Sequence, residues 1–198
     1  TQTMNQMHAL VTSAVDPLRM QLRSCSPAKL VDRCVGMRPG KLDSPAAATK
    51  FALRELARRH RALDEEVERF DEELSRLVAK RAPRLVALVG VGTDVAGALL
   101  VTAGDNPDRL RSEASFAHLC GVSPIPASSG RIHRHRLNRG GDRSANQALW
   151  RIVMVRMSWD ERTRAYAARR TSEGLSKREI IRCLKRYVAR EIYEVLVA

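Results

Sequence analysis

The sequence Ser128-Ser129-Gly130 runs directly into a segment, residues 131–143, that holds five arginines, two histidines and one aspartate. A serine becomes a nucleophile only beside a general base or in a strongly electropositive setting, and this segment supplies the second. Arg131, Arg134, Arg136, Arg139 and Arg143 suit phosphoryl transfer, in which guanidinium groups hold a scissile phosphate and offset the charge developing on its oxygens. Attack by the serine would leave a phosphoserine ester and a free 3′ hydroxyl. The same residues could seat a phosphate without reacting, or form a solvated linker with a run of charge. Pro124, Pro126 and Gly130 argue against a continuous helix, and Gly130 permits the sharp chain path that presents a preceding serine.

Other chemistries fit less well. A Ser-His-Asp hydrolase could draw on His118, His133, His135, Asp142 and Asp160, but no G-x-S-x-G elbow follows a strand. A zinc site from Cys120, His133 and His135 matches no standard spacing. Cys25, Cys34, Cys120 and Cys183 are widely separated with no CxxC pair, so reduced and mostly buried thiols are expected. No cofactor is expected in this chain. A second candidate contact is Gly90-Val91-Gly92 followed by Thr93, between two short apolar stretches. Two glycines let a turn approach a DNA backbone, and the free amides of a helix capped by Thr93 would face a phosphate, as in a helix-hairpin-helix. An ordinary tight turn between helices reads the same way.

The formal net charge is +13, with 35 Lys plus Arg against 22 Asp plus Glu. A domain this basic is expected to meet a polyanion, with nucleic acid as the first candidate and an anionic membrane surface as the second. No apolar run is long enough to span a bilayer, and the N-terminus has no signal-peptide pattern. Residue 1 is Thr rather than an initiator Met, so the chain reads as a piece of a longer protein.

The elements that must position these residues read as all-α: a helical arm over 1–82, then a compact helical domain over 83–198. That domain would carry the helix-hairpin-helix-like segment 83–103 and the serine loop 120–143. Ser26-Pro27 and Ser44-Pro45 are start signals, with Ser as cap and Pro at the first helical position. Ser176 and Glu179 form a capping box before the last helix. Asn146 stands near the start of the helix after the loop, where it could orient the loop's polar groups or serve as a surface residue. From Ser44 onward, Leu53, Leu56, His60, Leu63, Val67, Phe70, Leu74 and Leu77 alternate spacings of three and four. That heptad seam could pair with a second copy, making the chain a homo-oligomer through the 45–82 helix, or fold back on residues 4–35.

Residues from about 83 onward resemble the C-terminal domain of a large bacterial insertion-sequence transposase family related to the Piv and MooV DNA invertases. The resemblance rests on residues 83–92 (PRLVALVGVG), 114–124 (ASFAHLCGVSP), Ser128-Ser129-Gly130, 137–149 (LNRGGDRSANQAL) and 182–191 (RCLKRYVARE). Residues 8–82 are similar to the helical and coiled-coil region that precedes this domain. The resemblance implies a serine nucleophile directly before a glycine, here Ser129, with Ser128 the weaker candidate. It implies DNA as partner; on the residue reading above, the contacts are Gly90, Gly92, Thr93, Arg131, Arg134, Arg136, Arg139 and Arg143, with Gly130 and Asn146 shaping the loop. Family members complete their site with magnesium-binding carboxylates of an N-terminal RuvC-like DEDD domain, expected before residue 1, so this chain alone is expected to be incomplete as an enzyme. Some members use a structured guide RNA. A cytoplasmic, nucleoid-associated protein is implied, and a noncatalytic DNA-binding or assembly module is the alternative.

Overall fold

The computed structural model describes residues 2–104, 110–127 and 135–197. Ten helices and one small ladder of two strands make up the regular structure of these residues, so the fold is all-α as expected. The chain divides into two compact units, 1–72 and 73–198.

The first unit contains α1 (Gln2–Ser13), α2 (Asp16–Leu22), α3 (Pro27–Val35) and most of the long helix α4 (Pro45–Arg81). Both Ser-Pro pairs start helices where the sequence places them. Ser26 is the N-cap of α3, and the Ser44 hydroxyl accepts from the Ala47 amide at the head of α4. Met7, Val11, Leu18, Leu22, Leu30, Val31 and Cys34 are buried together with Leu53 and Ala57 of α4. The heptad seam therefore begins by folding back on the short helices. It does not continue that way: Leu63, Val67 and Phe70 are exposed.

The second unit takes in the last turns of α4, then α5 (Pro83–Val86), α6 (Thr93–Ala103), α7 (Glu113–Leu119), α8 (Arg143–Trp159), α9 (Glu161–Ser172) and α10 (Lys177–Val197). Its core buries Leu85, Leu99, Phe116, Leu149, Ile152, Ile180 and Ile192 almost completely. Each such side chain contributes roughly 1.5–3 kcal/mol through the apolar area it removes from water. Helix α8 sits at the centre, packed against α6, α9 and α10. Arg156 of α8 fixes that arrangement by donating to the Val89 carbonyl at 2.7 Å and pairing with Glu191 of α10 at 2.5 Å. Arg186 of α10 pairs with Glu113 of α7, and the Tyr193 hydroxyl donates to the Leu110 carbonyl at 3.1 Å. The helix over 83–86 is a single turn, and the N-cap of α6 is Gly92. Thr93 lies inside the helix and shares a hydrogen bond with Ser75 rather than capping.

Candidate nucleic-acid interface

The serine segment is entered and left through a ladder that the sequence does not announce. Strand β1 (Ile125–Pro126) pairs antiparallel with β2 (His135–Arg136), Ile125 opposite Arg136 and Pro126 opposite His135. The ladder holds Pro126 opposite His135, the described residues nearest the serine segment on the paired strands. Ser128, Ser129, Gly130, Arg131 and Arg134, and His133 of the zinc alternative, lie outside the described residues. Arg136, Arg139 and Arg143 are described and all three are exposed.

After β2 the chain passes through Leu137-Asn138-Arg139-Gly140-Gly141-Asp142 to the head of α8. Sequence dictates this turn closely. The Asp142 carboxylate accepts from the Ala145 amide at 2.8 Å and caps α8, satisfying one of the donors a helix start leaves open. The Asp142 amide donates to the Leu119 carbonyl at 2.7 Å, tying the turn to the end of α7. Gly141 has φ +135°, and a Cβ there would stand 2.6 Å from the Gly121 nitrogen, so no other residue fits. Asn146 donates to the carbonyls of Cys120 at 2.9 Å and Gly121 at 3.2 Å, and accepts from the Lys185 ammonium of α10 at 2.8 Å.

Together these residues line a cleft of about 360 Å³, with Trp150 on its wall. Its cations are Arg139, Arg143 and Lys185, against the single carboxylate of Asp142. Lys185 is only 8% exposed and has no ion-pair partner among the described residues. Desolvation, and after it the nearby Arg182, holds its pKa below the usual lysine value. The Cys120 thiol beside the cleft is pushed up to about 12, first by burial and second by Asp142, so it is a neutral core group near neutral pH.

Lys185 and Asn138 are the cleft residues that sequence reading passed over. The available signal was periodicity: Lys185 stands four residues after Ile181 and three before Val188, on the apolar face of α10. A lysine in such a stripe is either a buried cation with a purpose or a side chain that reaches out to water, and position alone does not separate the two.

The second predicted contact has a different environment. Gly90 has φ +83°, and a Cβ there would lie 3.2 Å from the Ile152 carbonyl oxygen and 3.4 Å from the Val155 Cβ. Its lack of a side chain serves packing against α8. Among the described residues no group of three or more His, Cys, Asp or Glu side chains is placed to hold a metal ion. No helix of these residues is long and apolar enough to cross a membrane.

Residues 82–168 match the model of the Transposase IS116/IS110/IS902 family. The matched stretch lies inside the second compact unit and includes the ladder, the Gly140-Gly141 turn and α8. The chain is also similar to the "Insertion element IS110 uncharacterized 43.6 kDa protein" of Streptomyces coelicolor, with 29% identity over 136 residues. That alignment covers 68% of this chain and 32% of the relative. The chain thus spans about a third of the length of the curated relative it matches.

Proposed function

We propose that this chain is the DNA-binding, serine-bearing part of an insertion-element transposase and acts in DNA transposition. The observation that carries the reading is the placement of exposed Arg136 on the ladder, Arg139 on the turn after it and Arg143 at the head of α8. The match to transposases over 82–168 supports it. In this reading the arginines hold a scissile phosphodiester and Ser129 is the nucleophile. Its Oγ forms a bond to phosphorus, the bond to the 3′ oxygen breaks, and a phosphoserine ester and a 3′ hydroxyl result. The carboxylates that bind magnesium in such enzymes belong to another domain of the full-length protein, so the chain alone binds DNA and does not cleave it. A structured guide RNA is a second candidate polyanion for the same basic surface.

The exposed Leu63, Val67 and Phe70, with Leu77 further along α4, make self-association through that helix part of the proposal. An apolar row at heptad spacing is buried when two helices pair.

The test has two arms. The isolated chain should bind duplex DNA with an affinity that falls steeply as salt rises, because bound counterions are released. In a full-length protein, Ser129→Ala should abolish strand transfer and leave DNA affinity nearly unchanged, and the wild type should form a denaturation-resistant adduct mapping to residue 129. An adduct at Ser128, or strand transfer surviving the substitution, overturns the assignment. No duplex binding at low salt overturns the whole reading.

A further inference from the structure

We infer that the cleft at the head of α8, lined by Lys185, Asn138, Arg139 and Arg143, is a binding site for one backbone phosphate of a nucleic-acid strand. The inference rests on the DNA-binding reading above and adds a specific seat, built on residues outside the serine segment.

Among the described residues, Lys185 at the cleft has no ion-pair partner and Asn138 has a donor with no acceptor. Lys185 is more than nine-tenths buried, and among the described residues its ammonium donates to the neutral Asn146 side-chain carbonyl. A buried cation without a counter-ion is costly, and an anion at the same place removes that cost. The Asn138 side chain is also nine-tenths buried. Its Oδ1 accepts from the Gly140 amide at 3.0 Å, which fixes the amide orientation and leaves Nδ2 with no acceptor among the described residues. A buried donor without an acceptor is an exception among folded proteins.

The backbone adds to this. Helix α8 has 17 residues, and its cap accounts for the amides of Ala145 and Asn146 through the Asp142 side chain and carbonyl. The amides of Arg143 and Ser144 have no acceptor within the helix, and the helix dipole makes them favourable to negative charge. The Asp142 carboxylate opposes an anion, but one of its oxygens is committed to the cap and three cations outnumber it. Donors converging from an ammonium, two guanidinium groups and a helix start suit a tetrahedral anion with several acceptor oxygens. Free phosphate and the phosphate of a strand share that chemistry, and the experiment separates them.

The chain has two tryptophans, so Trp159→Phe leaves Trp150, on the cleft wall, as its only indole. In that background, a duplex of about twenty base pairs and inorganic phosphate should each change the Trp150 emission, the duplex at far lower concentration. Lys185→Gln keeps a donor for Asn146 and removes the charge. It should weaken duplex binding about tenfold and lower the slope of log affinity against log salt by about one. It should also remove the response to phosphate. Arg143→Gln, at an exposed position, should lower the slope in the same way and serves if Lys185→Gln does not fold. Duplex binding with an unchanged salt slope in both variants overturns the site. A phosphate response that depends on Lys185 while duplex binding does not means an adventitious ion only, and also overturns it. A wild-type chain that binds no duplex at low salt overturns the transposase reading and this site with it, whereas the first two outcomes leave that reading standing.

Discussion

Helices α6 and α8 begin within the same compact unit, both just after glycine-containing turns, and the start of α6 was readable in sequence as a place where free amides could meet a phosphate. Their surroundings separate them. The head of α6 has no side-chain cap, carries Asp94 in its first turn, and its Gly90 is spoken for by contact with α8. The head of α8 is capped by Asp142 and is lined by Arg139, Arg143 and a buried lysine with no ion-pair partner among the described residues. Glycine at either turn reports how closely two pieces of backbone approach. What points to a ligand is an unpaired charge and a donor without an acceptor, and of these two turns only that of α8 has both among the described residues.

The comparison breaks first at the glycines. Gly141→Ala should be the most damaging substitution in this unit, by about 4 kcal/mol or more in denaturant unfolding. It forces a Cβ within 3 Å of the backbone at Gly121 and Leu119, in a conformation L-residues avoid. Gly90→Ala should cost less, about 2 kcal/mol, because its nearest neighbour is at 3.2 Å and the strain is mainly that of positive φ. Gly92→Ala meets nothing within 4 Å and should cost under about 1 kcal/mol, the difference between a glycine and an alanine N-cap. It should also leave duplex affinity within about twofold. A tenfold loss of affinity in Gly92→Ala with stability intact would restore the 90–93 turn as a principal DNA contact.

Much of the architecture was legible because it rests on local rules. The Ser-Pro starts of α3 and α4 and the Ser176–Glu179 box before α10 are set by near neighbours in the chain. The seam of α4 was legible as apolar periodicity, but not in its allocation. Leu53 packs against α1–α3 while Leu63 stays exposed, and only the lengths and turns of the other helices decide that. The ladder of Ile125–Pro126 with His135–Arg136 was not legible at all, since two residues with a proline among them carry no strand period. The cleft needed residues 39 positions apart, Asn146 and Lys185, to meet. Spacing along one helix says nothing about which lysine another helix brings.

A smaller effect sharpens the electrostatic half of the comparison. Asp142→Asn keeps a side-chain oxygen for the Ala145 amide, since Asn caps helices about as well as Asp, and removes the one carboxylate of the cleft. Stability should change by less than about 0.5 kcal/mol while duplex affinity at low salt rises about threefold. The corresponding change on α6, Asp94→Asn, also removes an acidic charge from a helix start. It should raise affinity less, because that start lacks the cations of the cleft. Equal gains from the two would mean that only net charge matters and that the α8 head has no privileged role.

The smallest expected effect is a pH dependence, and its sign follows from burial. Desolvation, with Arg182 adding to it, lowers the Lys185 pKa in the folded chain, so the unfolded chain binds that proton more tightly. Where the unfolded state holds more protons than the native one, stability rises with pH. The window lies between the lowered value in the folded chain and the ordinary lysine value of about 10.4. Below it the penalty for the buried charge is complete and constant, and above it the penalty is gone. Stability of the wild type measured relative to Lys185→Met should therefore rise as pH is raised through the alkaline range, other titrating groups cancelling in the difference. Saturating phosphate should flatten that rise, because an anion in the cleft favours the protonated lysine and lifts its pKa back toward the ordinary value. A difference that is flat without phosphate would mean that the ammonium is solvated, and the charge that distinguishes the head of α8 from that of α6 would then be an ordinary surface one.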